Sequence, residues 1–100
     1  MKLQDMSEIE VNVTQNHINR GKPDDASNCP IALALFEIME KNNIRVEVEV
    51  VPDQVTLSNI LEASNFELPE SAANFVAKFD NNERVMPFKF TLKRNDYCRV

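Results

Sequence analysis

The amino-acid sequence predicts an α+β fold, a small open sheet of three to four strands with two main helices mostly on one face. Apolar and polar residues alternate over 9–13 and over 44–50, as in strands with one buried face. Apolar residues recur at helical spacing over 31–41 and 69–79. Strands and helices mixed in this way within 100 residues predict one domain with a single core.

The first third of the chain predicts a strand, a short helix and a loop. The strand covers 9–13, and Thr14 follows it as the N-cap of a helix over 15–20. Gly21 is the only glycine and suits the left-handed residue that closes a helix. Residues 21–28 contain almost every turn-forming residue type and no large apolar one, which predicts a loop.

The central helix has the clearest start in the sequence. Ser27 or Asn28 can cap it, and Pro30 occupies an early position where it removes no needed hydrogen bond. Apolar residues between 31 and 39 cover an arc of roughly 200° on this helix. An arc this wide predicts neighbours on more than one side.

The second half alternates strands with a helix. A strand is predicted over 44–50, and Pro52 follows it. Residues 53–67 predict a short strand followed by a loop. The alternative is a helical turn at Leu57, Ile60 and Leu61.

A helix follows over 69–79, and a last strand follows over 85–92 that starts at a sheet edge or bulge because of Pro87. The single domain is predicted to span 1–100, with 1–7 and 94–100 as candidate loose tails.

Composition and charge exclude several classes of protein. Sixteen acidic against eleven basic residues give a net charge of −5, which argues against a nucleic-acid partner held through its phosphates. No apolar run reaches membrane-spanning length, and the first five residues do not resemble a signal peptide. Cys29 and Cys98 lack paired metal-ligand spacing, so we expect a cytoplasmic protein with no metal, no cofactor and no disulfide between them.

Four segments carry a resemblance to a protein family. They are His17-Ile18-x-x-Gly21, Cys29-Pro30-Ile31-Ala32-Leu33-Ala34-Leu35, Leu68-Pro69-x-x-Ala72-x-x-Phe75-Val76-x-x-Phe79-Asp80 and Val85-x-Pro87-Phe88-x-Phe90-x-Leu92. Together they resemble a family of small hypothetical proteins of phages and bacteria. The resemblance implies a phage or bacterial origin. For a phage-encoded protein, which would act in the host cytoplasm, it implies an accessory, host-interaction or anti-defence role. It implies no activity and no site residue.

Cys29 and His17 are the candidate catalytic residues. A thiol at a helix N-terminus faces free amides and the positive end of the helix dipole, which favour the thiolate. An imidazole within reach of that sulfur would make a nucleophilic pair. The alternative is that Cys29 is a small buried residue and that His17 lies on a short surface helix.

The loop before the central helix is the candidate binding site. Cations, backbone amides and small polar side chains converge there, as in an anion cradle. The predicted binding residues are Arg20, Gly21, Lys22, Ser27, Asn28 and Cys29. Asp24 and Asp25 oppose an anion in the same loop, and a capped solvent loop is the alternative.

The leading hypothesis is a non-enzymatic small binding protein that recognises a protein partner or a small anionic ligand and forms a homo-oligomer. The alternative is a small thiol-dependent enzyme or redox sensor that uses Cys29 with His17. A third hypothesis, an acidic decoy for a nucleic-acid-binding protein, rests on net charge alone. The predicted core consists of Val11, Val13, Ile31, Leu35, Ile38, Val46, Val48, Phe75, Phe79, Phe88 and Phe90.

Overall fold

The computed structural model describes residues 7–51, 54–60 and 63–94. The elements in chain order are β1 (Glu8–Val13), α1 (Gln15–Arg20), α2 (Pro30–Lys41), β2 (Glu47–Val51), β3 (Gln54–Ser58), β4 (Ala63–Glu67), α3 (Glu70–Asp80) and β5 (Phe88–Arg94). The predicted α+β class is confirmed. The described residues form five strands, so the prediction of three to four was too low.

The five strands form one antiparallel sheet in the order β1-β5-β4-β3-β2. β1 pairs with β5 along its whole length, and β2, β3 and β4 form a meander. Among the described residues, these two parts join where Phe66 faces Arg94 and Glu67 faces Lys93. The sheet is curled, and β1 and β2 are its two edges.

Residues 53–67 contain two strands, where the sequence predicted one strand and a loop. β4 has the sequence Ala-Ser-Asn-Phe-Glu, in which Phe66 is the single large apolar residue, so its local signal for a strand is weak. Pairing with β3 stabilises β4 as a strand despite this weak local signal. Thr56 Oγ1 also donates to Asn65 Oδ1 at 2.9 Å across the pair. The helical-turn alternative fails because Leu57 is buried within β3 whereas Ile60 is 99% exposed.

Every strand alternates exposed and buried residues, so one face of the sheet carries the core. Most predicted core residues are buried, while Ile38, Phe79 and Phe88 are partly buried and pack against the core. The prediction omitted several residues that are fully buried, namely Met39, Val55, Leu57, Phe66 and Leu92.

The short helix α1 begins at a reciprocal cap. The Thr14 side chain accepts from the His17 amide, and the His17 ring accepts from the Thr14 amide at 3.0 Å. His17 is buried in this arrangement, so the alternative that placed it on a surface helix is wrong. Cys29, and neither Ser27 nor Asn28, is the N-cap of α2.

Gly21 closes α1 in an extended conformation with φ of −71°, so the predicted left-handed conformation was wrong. The reason for glycine is a close approach between two chain segments. A Cβ on Gly21 would lie 2.6 Å from Cδ of Pro30, at the start of α2. Position 21 is glycine because the Pro30 ring leaves no space for a side chain there.

The C-terminal strand begins three residues later and ends two residues later than the predicted 85–92. β5 continues to Arg94, whose amide donates to the Ser7 carbonyl and whose guanidinium lies over the Phe66 ring at 5.0 Å. Ser7 and Arg94 are therefore packed, not tail residues. The remaining residues of the two predicted tails lie outside the described residues.

We expect Leu35→Ala to lower the free energy of unfolding by roughly 2–5 kcal/mol, because it leaves a cavity beneath α2. Leu35 is fully buried. Glu40→Ala, on the exposed side of the same helix, is the control and should change stability by less than about 0.5 kcal/mol. Urea unfolding measures both variants. Equal unfolding midpoints for Leu35→Ala and the parent would contradict the packing of Leu35 in the core.

We expect Gly21→Ala to destabilise the fold by about 1–3 kcal/mol through overlap with the Pro30 ring. Pro30→Ala removes the ring atoms nearest to the new methyl group. The double variant should therefore lose less stability than the sum of the two single losses, as a double-mutant cycle measures. Additive losses would show that the contact with Pro30 does not require glycine.

Candidate functional site

The loop over residues 21–28, here named the capping loop, is closed by its own aspartate. The Asp25 carboxylate accepts hydrogen bonds from the amides of Ser27 and Asn28, at 3.0 and 3.1 Å, and from Asn28 Nδ2. These bonds, led by the Asn28 side chain, lower the pKa of Asp25 below its ordinary value, and the charge of Lys22 acts in the same direction. The Lys22 amide donates to the Asn28 carbonyl at 2.9 Å and closes the loop.

This arrangement bears on the predicted anion cradle. Two of the amides that would hold an anion already hold a carboxylate of the same chain. A ligand at Ser27 and Asn28 would have to displace Asp25 from three hydrogen bonds. The geometry therefore favours a self-contained loop over a site for a small anion.

The capping loop is held against two other elements. The Ala26 carbonyl accepts from the Val50 amide of β2 at 2.9 Å, and Asp80 Oδ1 of α3 accepts from the Asp24 amide at 2.9 Å. Asp24 has φ of 56°, a left-handed conformation that aspartate adopts more easily than most residues. The loop is thereby tied to one edge of the sheet.

A groove runs along that edge, between α2 and β2. Its first part has a volume of about 440 Å³ and is lined by Arg20, Ser27, Asn28, Leu33, Phe36, Val46, Glu47 and Val48. Its second part has a volume of about 590 Å³ and is lined by Phe36, Glu40, Asn43, Ile44, Arg45 and Val46. Phe36 and Val46 line both parts, so we treat them as one feature, the α2/β2 groove. Phe36 is 49% exposed, unusual for so large an apolar side chain.

The floor of the α2/β2 groove is a stretch of open strand edge. The Val50 amide points away from β3, towards Ala26. Because amide direction alternates along a strand, the main-chain groups of Val48 and Val46 point the same way. Among the described residues, no hydrogen bond reaches these groups. The Ile44 amide donates to the Met39 carbonyl at 2.8 Å, so the open edge is bounded at Ile44 and at Val50.

The structure brings only part of the predicted binding set together. Arg20, Ser27 and Asn28 line the α2/β2 groove. Gly21 packs against Pro30, the exposed Lys22 is not among the groove residues, and Cys29 is buried.

Sequence reasoning missed the apolar side of the groove. Leu33, Phe36, Val46 and Val48 belong to segments that were interpreted as core. The signal was present in the 200° apolar arc of α2, which is wider than its sheet neighbours cover. Phe36 lies on the part of that arc that stays exposed.

The candidate catalytic pair does not form. The His17 Nδ1 atom accepts from the Thr14 amide, and Nε2 faces Glu37 Oε1 at 3.4 Å, so each ring nitrogen has a partner other than Cys29. Burial raises the pKa of the Cys29 thiol, while the amides of Ala32 and Ile31 act in the opposite direction. Cys29 is a free cysteine, and Cys98 lies outside the described residues.

The described ranges contain neither a cluster of metal-binding side chains nor a membrane-spanning helix. In residues 7–51, 54–60 and 63–94, no group of three or more His, Cys, Asp or Glu side chains could hold a metal ion. In the same part of the chain, every helix is too short or too polar to cross a membrane.

Comparison with protein-family models, with curated proteins and with solved structures gives no match for this chain. The resemblance to small phage and bacterial proteins therefore stays a prediction.

We expect Cys29 to react slowly with iodoacetamide in the folded protein, because the residue is 4% exposed and burial raises the pKa of its thiol above the ordinary value. The measurement uses the Cys98→Ser background, so that one thiol is read, over pH 7 to 10. The same protein in denaturant is the control and should label as an ordinary thiol. Labelling of the folded protein that is faster than this control below pH 8 would restore the nucleophile hypothesis.

Proposed function

We propose that this protein is a non-enzymatic binding protein whose partner is another protein chain. The partner adds an extended segment to the open edge of β2, and its side chains fill the α2/β2 groove. The observation that carries the proposal is the bounded edge at Val46 and Val48, which lies beside the exposed Phe36. A strand edge provides main-chain affinity, and the neighbouring groove provides side-chain selectivity.

The charge and shape of the groove support a peptide segment over a small anion. Its lining includes a cation at each end, Arg20 and Arg45, and acidic side chains at Glu40 and Glu47. Such a mixture fits a segment that carries both charges. The capping loop satisfies its own amides through Asp25, which leaves a small anion without donors there.

Two further parts of the proposal rest on the sequence. A cytoplasmic location is favoured by two cysteines in one hundred residues. A phage accessory role, directed at a host protein, follows from the resemblance alone.

The test removes one main-chain donor from the open edge. Val48→Pro deletes the amide that points outward and leaves the ladder to β3 intact, since proline is tolerated on edge strands whose amide faces solvent. Linear peptides are selected from a displayed library on the parent protein, and their affinities are measured by calorimetry. We expect Val48→Pro to weaken the selected peptides by at least about tenfold.

Val48→Ala is the matched control, because it also removes the valine side chain but keeps the amide. Thermal melts establish that both variants fold. Should Val48→Pro unfold, hydrogen exchange on the parent replaces it, with slowed exchange of the Val46 and Val48 amides expected when peptide binds. Equal peptide affinities for the proline and alanine variants, or unchanged exchange at both amides, would eliminate strand addition at β2.

A further inference from the structure

We infer that the segment that binds the open edge of β2 is β2 of a second copy of this chain, paired antiparallel about a two-fold axis at Val46. This inference rests on the proposed function, since it names the partner of the same edge. It explains why the edge stays open, why Phe36 is exposed, and why a basic and an acidic residue, Arg45 and Glu47, stand two positions apart in the sequence.

The hydrogen bonds available on the edge limit the registers. The alternation of exposed and buried residues in β2 extends back through Val46 to Arg45. A two-fold antiparallel pair can be centred on Val46, Glu47 or Val48. Centred on Val46, the second copy's strand begins with its Ile44 opposite Val48, short of Val50, whose amide is bonded to Ala26. The Ile44 amide is bonded to the Met39 carbonyl, so Ile44 offers only its carbonyl to the Val48 amide. Each of the other two centres brings the second copy against a position that Ala26 already occupies.

Charge selects the same register independently. Arg45, Glu47 and Glu49 are exposed on one face. Centring on Val48 places Glu47 opposite Glu49 of the second copy. Centring on Glu47 pairs Arg45 with Glu49 twice but places two copies of Glu47 opposite each other. Centring on Val46 places Arg45 opposite Glu47 twice, with no pair of like charges directly opposite. Opposite charges across a strand pair attract and like charges repel.

The other edge of the sheet does not suit self-association. The exposed residues of β1 are Glu8, Glu10 and Asn12, which include no cation. Any two-fold pairing of β1 therefore sets carboxylates against carboxylates or against an amide. Charge thus singles out β2 as the edge on which a second copy is accepted.

Apolar contact adds to the pairing. Phe36 and Val46 line both parts of the α2/β2 groove. An axis at Val46 therefore brings Phe36 of one copy beside Phe36 of the other and removes both from water. This contact is necessary, because exposed charge pairs contribute little on their own.

The first experiment reverses the charges. Sedimentation equilibrium follows the mass of the parent, which should rise from 11.5 kDa towards twice that value with concentration. Arg45→Glu and Glu47→Arg should each weaken the dimer by at least about tenfold, because each sets like charges opposite one another. The double variant Arg45→Glu with Glu47→Arg should restore the dimer to within about threefold of the parent.

Glu49→Arg is the control that distinguishes the Val46-centred register from the Glu47-centred register. In the Val46-centred pair Glu49 faces Asn43, so the dimer constant should change by less than about twofold. Weakening by Glu49→Arg would indicate the Glu47-centred register, in which Glu49 faces Arg45. All of these positions are exposed, so the variants should fold, and thermal melts verify it.

The second experiment captures the pair covalently. Residues 45 and 47 of opposite copies form a pair without hydrogen bonds, with Cα atoms about 4.5 Å apart, within the range for a disulfide. In the Cys98→Ser background, Arg45→Cys mixed with Glu47→Cys should oxidise to a mixed disulfide dimer. Either variant alone should give little dimer.

A parent that stays monomeric at all concentrations overturns this inference. A dimer whose dissociation constant is unchanged by the charge reversals also overturns it, because its interface would lie elsewhere. Neither result affects the proposed function, which fails only if the selected peptides are indifferent to Val48→Pro. The two hypotheses are therefore separable.

Discussion

The contact of α2 with both edges of the sheet is the constraint on which the rest of the structure depends. β1 and β2 are the outermost strands of the sheet, yet α2 packs against each of them. One helix can reach both edges only if the sheet curls around it, as this sheet does. The N-terminus of α2 is fixed by the contact between Pro30 and Gly21.

This constraint also explains where the functional surface lies. A curled sheet has two edges, and edges are sites of unwanted association that proteins usually cover. The capping loop covers one end of β2 through Ala26, and the turn after α2 covers the other through the Met39 carbonyl. Between them Val46 and Val48 stay open beside the groove. An edge that is covered at both ends and left open in the middle is consistent with a specific partner of limited length.

Local chemistry made several features predictable from the sequence. The Thr14 cap of α1, the proline at the start of α2 and the strict alternation in β1 and β2 are short-range signals, and the structure confirms them. β4 was missed because its residues have weak strand preference and depend on the ladder to β3. The role of Gly21 was misinterpreted because its reason is a contact with Pro30, which is nine residues away in the sequence.

The sequence by itself determined the fold class, the helix starts, part of the core and three of the residues that line the groove, Arg20, Ser27 and Asn28. These follow from periodicity and from capping chemistry, which act over a few residues. Only the tertiary structure decided that His17 contacts Thr14 and Glu37, that Asp25 occupies the loop amides, and that β2 is an edge. Strand order and side-chain direction depend on contacts between segments far apart in the chain, which no local pattern encodes.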